Sequence, residues 1–85
     1  MTARILVVDD IAANVRLLEA KLPAEYYDVI SASDGPSGLA LAASEKPDLI
    51  LLDVMMPGMG GLAVCRRVKD DPETRHIPVV LVTAL

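Results

Sequence analysis

Three short, unbroken apolar runs govern what this chain can fold into: Ile5-Leu6-Val7-Val8, Leu49-Ile50-Leu51-Leu52 and Val79-Val80-Leu81-Val82. None of them alternates with polar residues. A strand with one face in water would alternate, so runs of this kind belong to strands covered on both faces, in a parallel sheet packed between helices. A weaker run, Asp28-Val29-Ile30-Ser31-Ala32, alternates in part and reads as an edge strand. Helical stretches separate the runs. Residues 12–22 place Val15, Leu18 and Leu22 at i, i+3 and i+7, and Pro23 stops that helix. Asp34 is the N-cap of a second helix, with Pro36 in its first turn; Leu39, Ala42 and Ala43 follow, and Pro47 closes it. Residues 61–69 carry Leu62, Cys65 and Val68 on one face and give way to Asp70-Asp71-Pro72. The predicted order is β-α-β-α-β-α-β, an alternation that implies a parallel sheet with right-handed crossovers.

At 85 residues there is room for one small domain, able to remove only about 60–65% of its unfolded surface from water. Composition is that of a globular protein, with 53% apolar and 24% charged residues, and no apolar run approaches membrane-spanning length. Met1-Thr2-Ala3-Arg4 leads straight into the first strand without a signal-peptide core, and the single Cys excludes an internal disulfide. Both features predict a cytoplasmic protein. A net charge of −4 argues against nucleic acid, whose phosphates need Lys and Arg, and two Tyr with no Phe or Trp offer no base-stacking platform.

In open α/β sheets, ligands bind beyond the carboxyl ends of the strands. Asp9-Asp10 follow the first apolar run, Asp53 follows the third, and Thr83 follows the fourth. If the first and third strands are neighbours, as in the flavodoxin-like order 2-1-3-4, three carboxylates converge. Two like charges about 4 Å apart repel by roughly 4 kcal/mol at an effective dielectric near 20. A hard divalent cation offsets that repulsion. Magnesium, which favours one or two carboxylates plus water and phosphate oxygens, suits the inventory. Beside such an ion, a carboxylate can attack a phosphoryl group and form an aspartyl phosphate.

Together, Ile5-Leu6-Val7-Val8-Asp9-Asp10, Leu51-Leu52-Asp53-Val54-Met55-Met56-Pro57-Gly58-Met59 and Val80-Leu81-Val82-Thr83-Ala84 resemble the CheY-like receiver domains of two-component response regulators. The similarity covers the whole chain and is greatest to the first receiver of PleD-like diguanylate cyclase regulators, especially across residues 9–21 and 65–84. It implies a flavodoxin-like, doubly wound parallel sheet of order 2-1-3-4 and a phosphoacceptor rather than an enzyme, any cyclase or other output lying elsewhere in a parent protein. Asp53 would take phosphate from a histidine kinase or histidine phosphotransfer protein. Asp9, Asp10 and Asp53, with the main-chain carbonyl of Met55, would hold Mg2+. Thr83 would contact the phosphoryl group and act as a switch, and Ala84 would leave room for it.

Two departures from the family pattern shape expectations. Gly60 stands where relatives usually carry an acidic residue or Asn. The fifth strand with its Lys, and the fourth and fifth helices, are missing from residues 1–85, so the chain is expected to be an incomplete receiver with impaired phosphorylation. The alternative to a signalling module is a fragment that self-assembles, since Val79-Val80-Leu81-Val82 would form an uncharged open edge that a second copy can extend, or cover by exchanging elements. A haloacid-dehalogenase-like phosphatase is a third possibility, disfavoured because Asp53 is followed by Val54-Met55 and not by the DxD pattern. Plainer roles suit other residues: Cys65 as a small core residue, His76 in an exposed loop, Arg66-Arg67 on a solvated helix face, and Met55, Met56 and Met59 in loop and core packing. By itself, Asp9-Asp10 reads equally well as a solvated turn.

Overall fold

A computed structural model describes residues 2–82 of the protein. Four parallel strands, β1 (Ala3–Val8), β2 (Tyr27–Ala32), β3 (Leu49–Asp53) and β4 (Val79–Val82), form one sheet in the order β2-β1-β3-β4. Helices α1 (Ala12–Lys21), α2 (Gly35–Glu45) and α3 (Gly61–Asp70) connect them. The chain steps one way from β1 to β2 and the other way from β2 to β3. Right-handed crossovers therefore place α1 on one face and α2 and α3 on the other.

The core divides accordingly. Leu6, Val8, Ala32, Ile50 and Leu52 alternate onto the α2–α3 face, where they pack with Ala42, Val64, Val68, Met56 and Ile77. Ile5 and Val7 point to the opposite face and are also buried. β1 is thus buried on both faces, as its unbroken apolar run implies, whereas Leu49 and Leu51 of β3 are only half-buried on the α1 side. No residue of α1 is fully buried, and Leu17 on it is exposed. At the β4 edge, Val80 and Leu81 point to opposite faces and are 48% and 40% exposed.

Local chemistry sets the element ends. The Asp34 carboxylate accepts the Ser37 N–H at 2.8 Å, capping α2 as expected and holding its own carboxyl below the usual range. Lys46 ends that helix in the left-handed region at φ 46°. α3 departs from expectation in one respect. Its buried stripe is Gly61, Val64 and Val68, with Cys65 half-buried and Leu62 60% exposed. The i, i+3 set starting at residue 62 and the set starting at 61 share Val68, and only the second faces the sheet. The 71–78 connection, which shows no periodic signal, is anchored at its centre. Thr74 is buried and donates its hydroxyl to the Val68 carbonyl at 2.8 Å, satisfying one of the helix's terminal acceptors. Lys69 donates to the Ile77 carbonyl at 2.6 Å, and Ile77 is buried beneath.

Candidate functional site: an acidic pocket at the strand ends

β1 and β3 are direct neighbours, with Val8 opposite Leu52. The residues that follow, Asp9 and Asp53 (the latter the last residue of β3), leave the sheet side by side. One carboxylate oxygen from each of Asp9, Asp10 and Asp53 lies within 4.8 Å of the others. Asp9 and Asp53 are buried, at 7% and 5% exposure, and Asp10 faces solvent. The sequence expectation that three carboxylates converge here is what the structure shows.

Each buried carboxylate is oriented by the backbone just beyond it. Asp9 Oδ1 accepts the Ile11 N–H at 2.9 Å, a turn that leads into α1 although Ile11, the N-cap residue, has no capping side chain. Asp53 Oδ1 accepts the Met55 N–H at 3.1 Å. The backbone at residue 53 is also fixed from both directions. Val54 N–H donates to the Val82 carbonyl at 3.2 Å, extending the β3–β4 ladder, and Gly61 N–H donates to the Val54 carbonyl at 3.2 Å. Burial pushes the Asp53 carboxyl above its ordinary range, and the neighbouring Asp9 and Asp10 charges push it the same way, against the pull of the Met55 N–H.

The donor set fits a hard cation. All three groups are oxygen ligands, two of them are held in place by backbone N–H groups, and their mutual repulsion is what a divalent ion relieves. Met55 has an exposed side chain, and Met56 is buried in the core, with Met59 packed against it. Thr83 and Ala84 lie outside the described residues. Cys65 and His76 sit away from the pocket, the first half-buried on α3 and the second exposed before β4. Among the described residues the lysines are at the opposite end of the sheet. Lys46 pairs with Glu73 at 3.0 Å, Lys69 holds the 71–77 turn, and Lys21 ends α1. Sequence reasoning passed over Gly61, whose amide braces the Asp53–Val54 segment; a glycine carries no hydropathy signal that could have marked it.

Comparison with known proteins agrees with this geometry. The family model described as the response regulator receiver domain matches residues 5–85. The chain is 75% identical over 85 residues to the response regulator PleD of Caulobacter vibrioides, spanning all of this chain and 19% of that protein. It is 44% identical over 81 residues to the protein PilH of Pseudomonas aeruginosa, covering 95% of this chain and 67% of that one. Among solved structures, the N-terminal domain of a response regulator receiver protein from Methanoculleus marisnigri superposes with a TM-score of 0.93 at 40% identity, covering 100% of this chain and 69% of that one. The phosphorylated cyanobacterial phytochrome response regulator RcpA superposes with a TM-score of 0.84 at 30% identity, covering 100% and 67%. The chain thus spans about a fifth of its PleD relative and about two-thirds of its PilH relative. With the sheet order, the acidic strand ends and these relatives all in agreement, the chain belongs to the receiver-domain family of two-component response regulators, which are regulatory phosphoacceptor modules and not enzymes.

Proposed function

We propose that Asp53 is the phosphoacceptor of this receiver, taking a phosphoryl group from a phosphohistidine on a histidine kinase or phosphotransfer protein. The observation that carries the reading is the convergence of one buried strand-end carboxylate with two more within 4.8 Å. Asp53 Oδ1 is tied to the Met55 N–H, which fixes the rotamer and leaves Oδ2 to attack phosphorus. As the new O–P bond forms, the P–N bond to the donor imidazole breaks, and the electron pair leaves with the ring nitrogen. Asp9, Asp10 and Asp53, with the Met55 carbonyl, would hold Mg2+, which when bound would neutralise the pocket and offset charge on the transferring oxygens. The reading is supported by the RcpA relative, which is described as phosphorylated. Thr83 is the proposed phosphoryl contact.

Among the described residues no lysine stands beside the acids, so we expect slow labelling of the 85-residue chain. Incubation with acetyl phosphate and magnesium, followed by intact mass and peptide mapping, tests the assignment. One phosphoryl group should appear on Asp53, and Asp53→Asn or EDTA should abolish it. Label on any other residue, or label that survives Asp53→Asn, refutes it.

A second reading concerns assembly. Val79–Val82 carries no charge, and among the described residues β4 pairs only with β3. Unpaired strand groups flanked by half-exposed Val80 and Leu81 are a template for a second copy. Light scattering of the 85-residue chain should show an oligomer that Leu81→Lys disperses. A monomer at micromolar concentration excludes it.

A further inference from the structure

We infer that Gly61 is a positioning residue for Asp53: the missing side chain lets the first turn of α3 seat directly against the backbone that carries the phosphoacceptor. The inference rests on the proposed role of Asp53 and extends it to a residue outside the pocket. A Cβ at position 61 would lie 2.8 Å from the Val54 Cα and 2.9 Å from the Asp53 carbonyl carbon, and closer still to the Asp53 carbonyl oxygen. All three obstacles are main chain, so no side-chain rotation can relieve the clash. Either α3 retreats or the strand end moves.

The two choices differ in consequence. Gly61 donates its N–H to the Val54 carbonyl at 3.2 Å, and Asp53 Oδ1 is held by Met55 N–H only two residues from its own Cα. A displaced Val54 carries Met55 with it and turns the carboxylate. On the other side, α3 is held to the sheet by Val64 and Val68, each 1% exposed, so retreat of the helix opens the core. The strand end opens onto the 54–60 loop, which can absorb a small shift, so Asp53–Val54 is the side that yields. Among the described residues no glycine seats a helix against the Asp9 backbone in the same way. Gly38 of α2 backs β1 in a similar place, but a Cβ there meets the methyl groups of Val8 at 2.8 and 3.0 Å and not the backbone of an acidic residue. The helix behind β3 therefore sets the distance between Asp53 and the Asp9–Asp10 pair.

The test compares Gly61→Ala with Val64→Ala, which loosens the same helix without touching Asp53. Two readouts are taken with each: magnesium affinity, from shifts of the Asp10 and Val54 amide signals in NMR titration, and yield of the beryllofluoride adduct by fluorine NMR. We expect Gly61→Ala to weaken magnesium binding by about tenfold or more relative to Val64→Ala and to lose the adduct in proportion, whatever their relative melting temperatures. Equal magnesium affinity in the two variants overturns the inference. If Gly61→Ala is unfolded in buffer, both variants and the wild type are compared in trimethylamine N-oxide, which favours the compact state. A chain that stays unfolded there also overturns it, because position 61 then serves folding alone. Wild-type protein that takes neither magnesium nor beryllofluoride would refute the phosphoacceptor reading itself, and is thereby distinguished from failure of the Gly61 inference.

Discussion

Replacing Asp53 by Asn should make the metal-free protein more stable, although it removes the group proposed to matter most for function. Two unit charges 4.8 Å apart repel by about 3.5 kcal/mol at an effective dielectric near 20. Asp10 is open to water and salt, which shrinks its share. Against the gain, the Met55 N–H exchanges a charged acceptor for a neutral one, a loss of about 1 kcal/mol. The balance is a stabilisation of about 2–3 kcal/mol, and for a domain of this size each kcal/mol moves the melting temperature by roughly 4–8 °C. The sign with pH follows from linkage. Asp53 has a carboxyl raised in the folded state, so the fold binds its proton more tightly than the unfolded chain does. The stability this group contributes is fully present below its unfolded value and is lost as pH rises through the folded value. The advantage of Asp53→Asn should therefore be largest near neutral pH and fade as the solution is acidified. Thermal unfolding followed by circular dichroism in EDTA, from pH 7.5 downward, reads both effects. Adding magnesium should then stabilise the wild type more than the variant. A variant that melts below the wild type at pH 7.5 in EDTA would show that carboxylate repulsion does not dominate this pocket.

Thr74→Val keeps the shape of a buried residue but leaves the Val68 carbonyl without its donor, and urea unfolding should show a loss of about 1–3 kcal/mol. Gly58 has φ +72°, and a Cβ there would meet nothing within 4 Å. Gly58→Ala should consequently cost only the conformational penalty, about 1–2 kcal/mol, and calorimetry giving no loss would show that the loop relaxes. Labelling confined to Asp53, and dispersal of an assembled chain by Leu81→Lys, are the expected outcomes already set out for function and for self-association.

The parts of the fold that bury both faces of a strand were the legible ones. β1 announced itself because each neighbour in sequence had to be apolar, β3 because its run is equally unbroken although one face is only half-covered, and the acidic residues at their ends stood out as the first charges after such runs. Strand order was less direct: the apolar pattern says that strands are central, not which ones touch, and only the likeness to known receivers placed the first beside the third. α3 shows how periodicity loses its phase. Its ten residues contain two overlapping apolar sets, and Leu62 is the larger residue on the face turned to water. Thr74 and Gly61 were invisible for opposite reasons. Thr74 is a polar residue buried by a single hydrogen bond across a turn, and Gly61 matters for the atoms it lacks.

The pairing of Val8 with Leu52 has a consequence for how the molecule guards against its own errors. Sliding β3 along β1 by one position would turn Leu52 to the α1 face and swing the Asp53 carboxylate toward the greasy interior beneath α3. The same slip would carry it away from its two acidic companions. A chain that threads itself wrongly is thereby penalised and silenced in one stroke, so a misaligned population should not persist as a signalling-competent impostor.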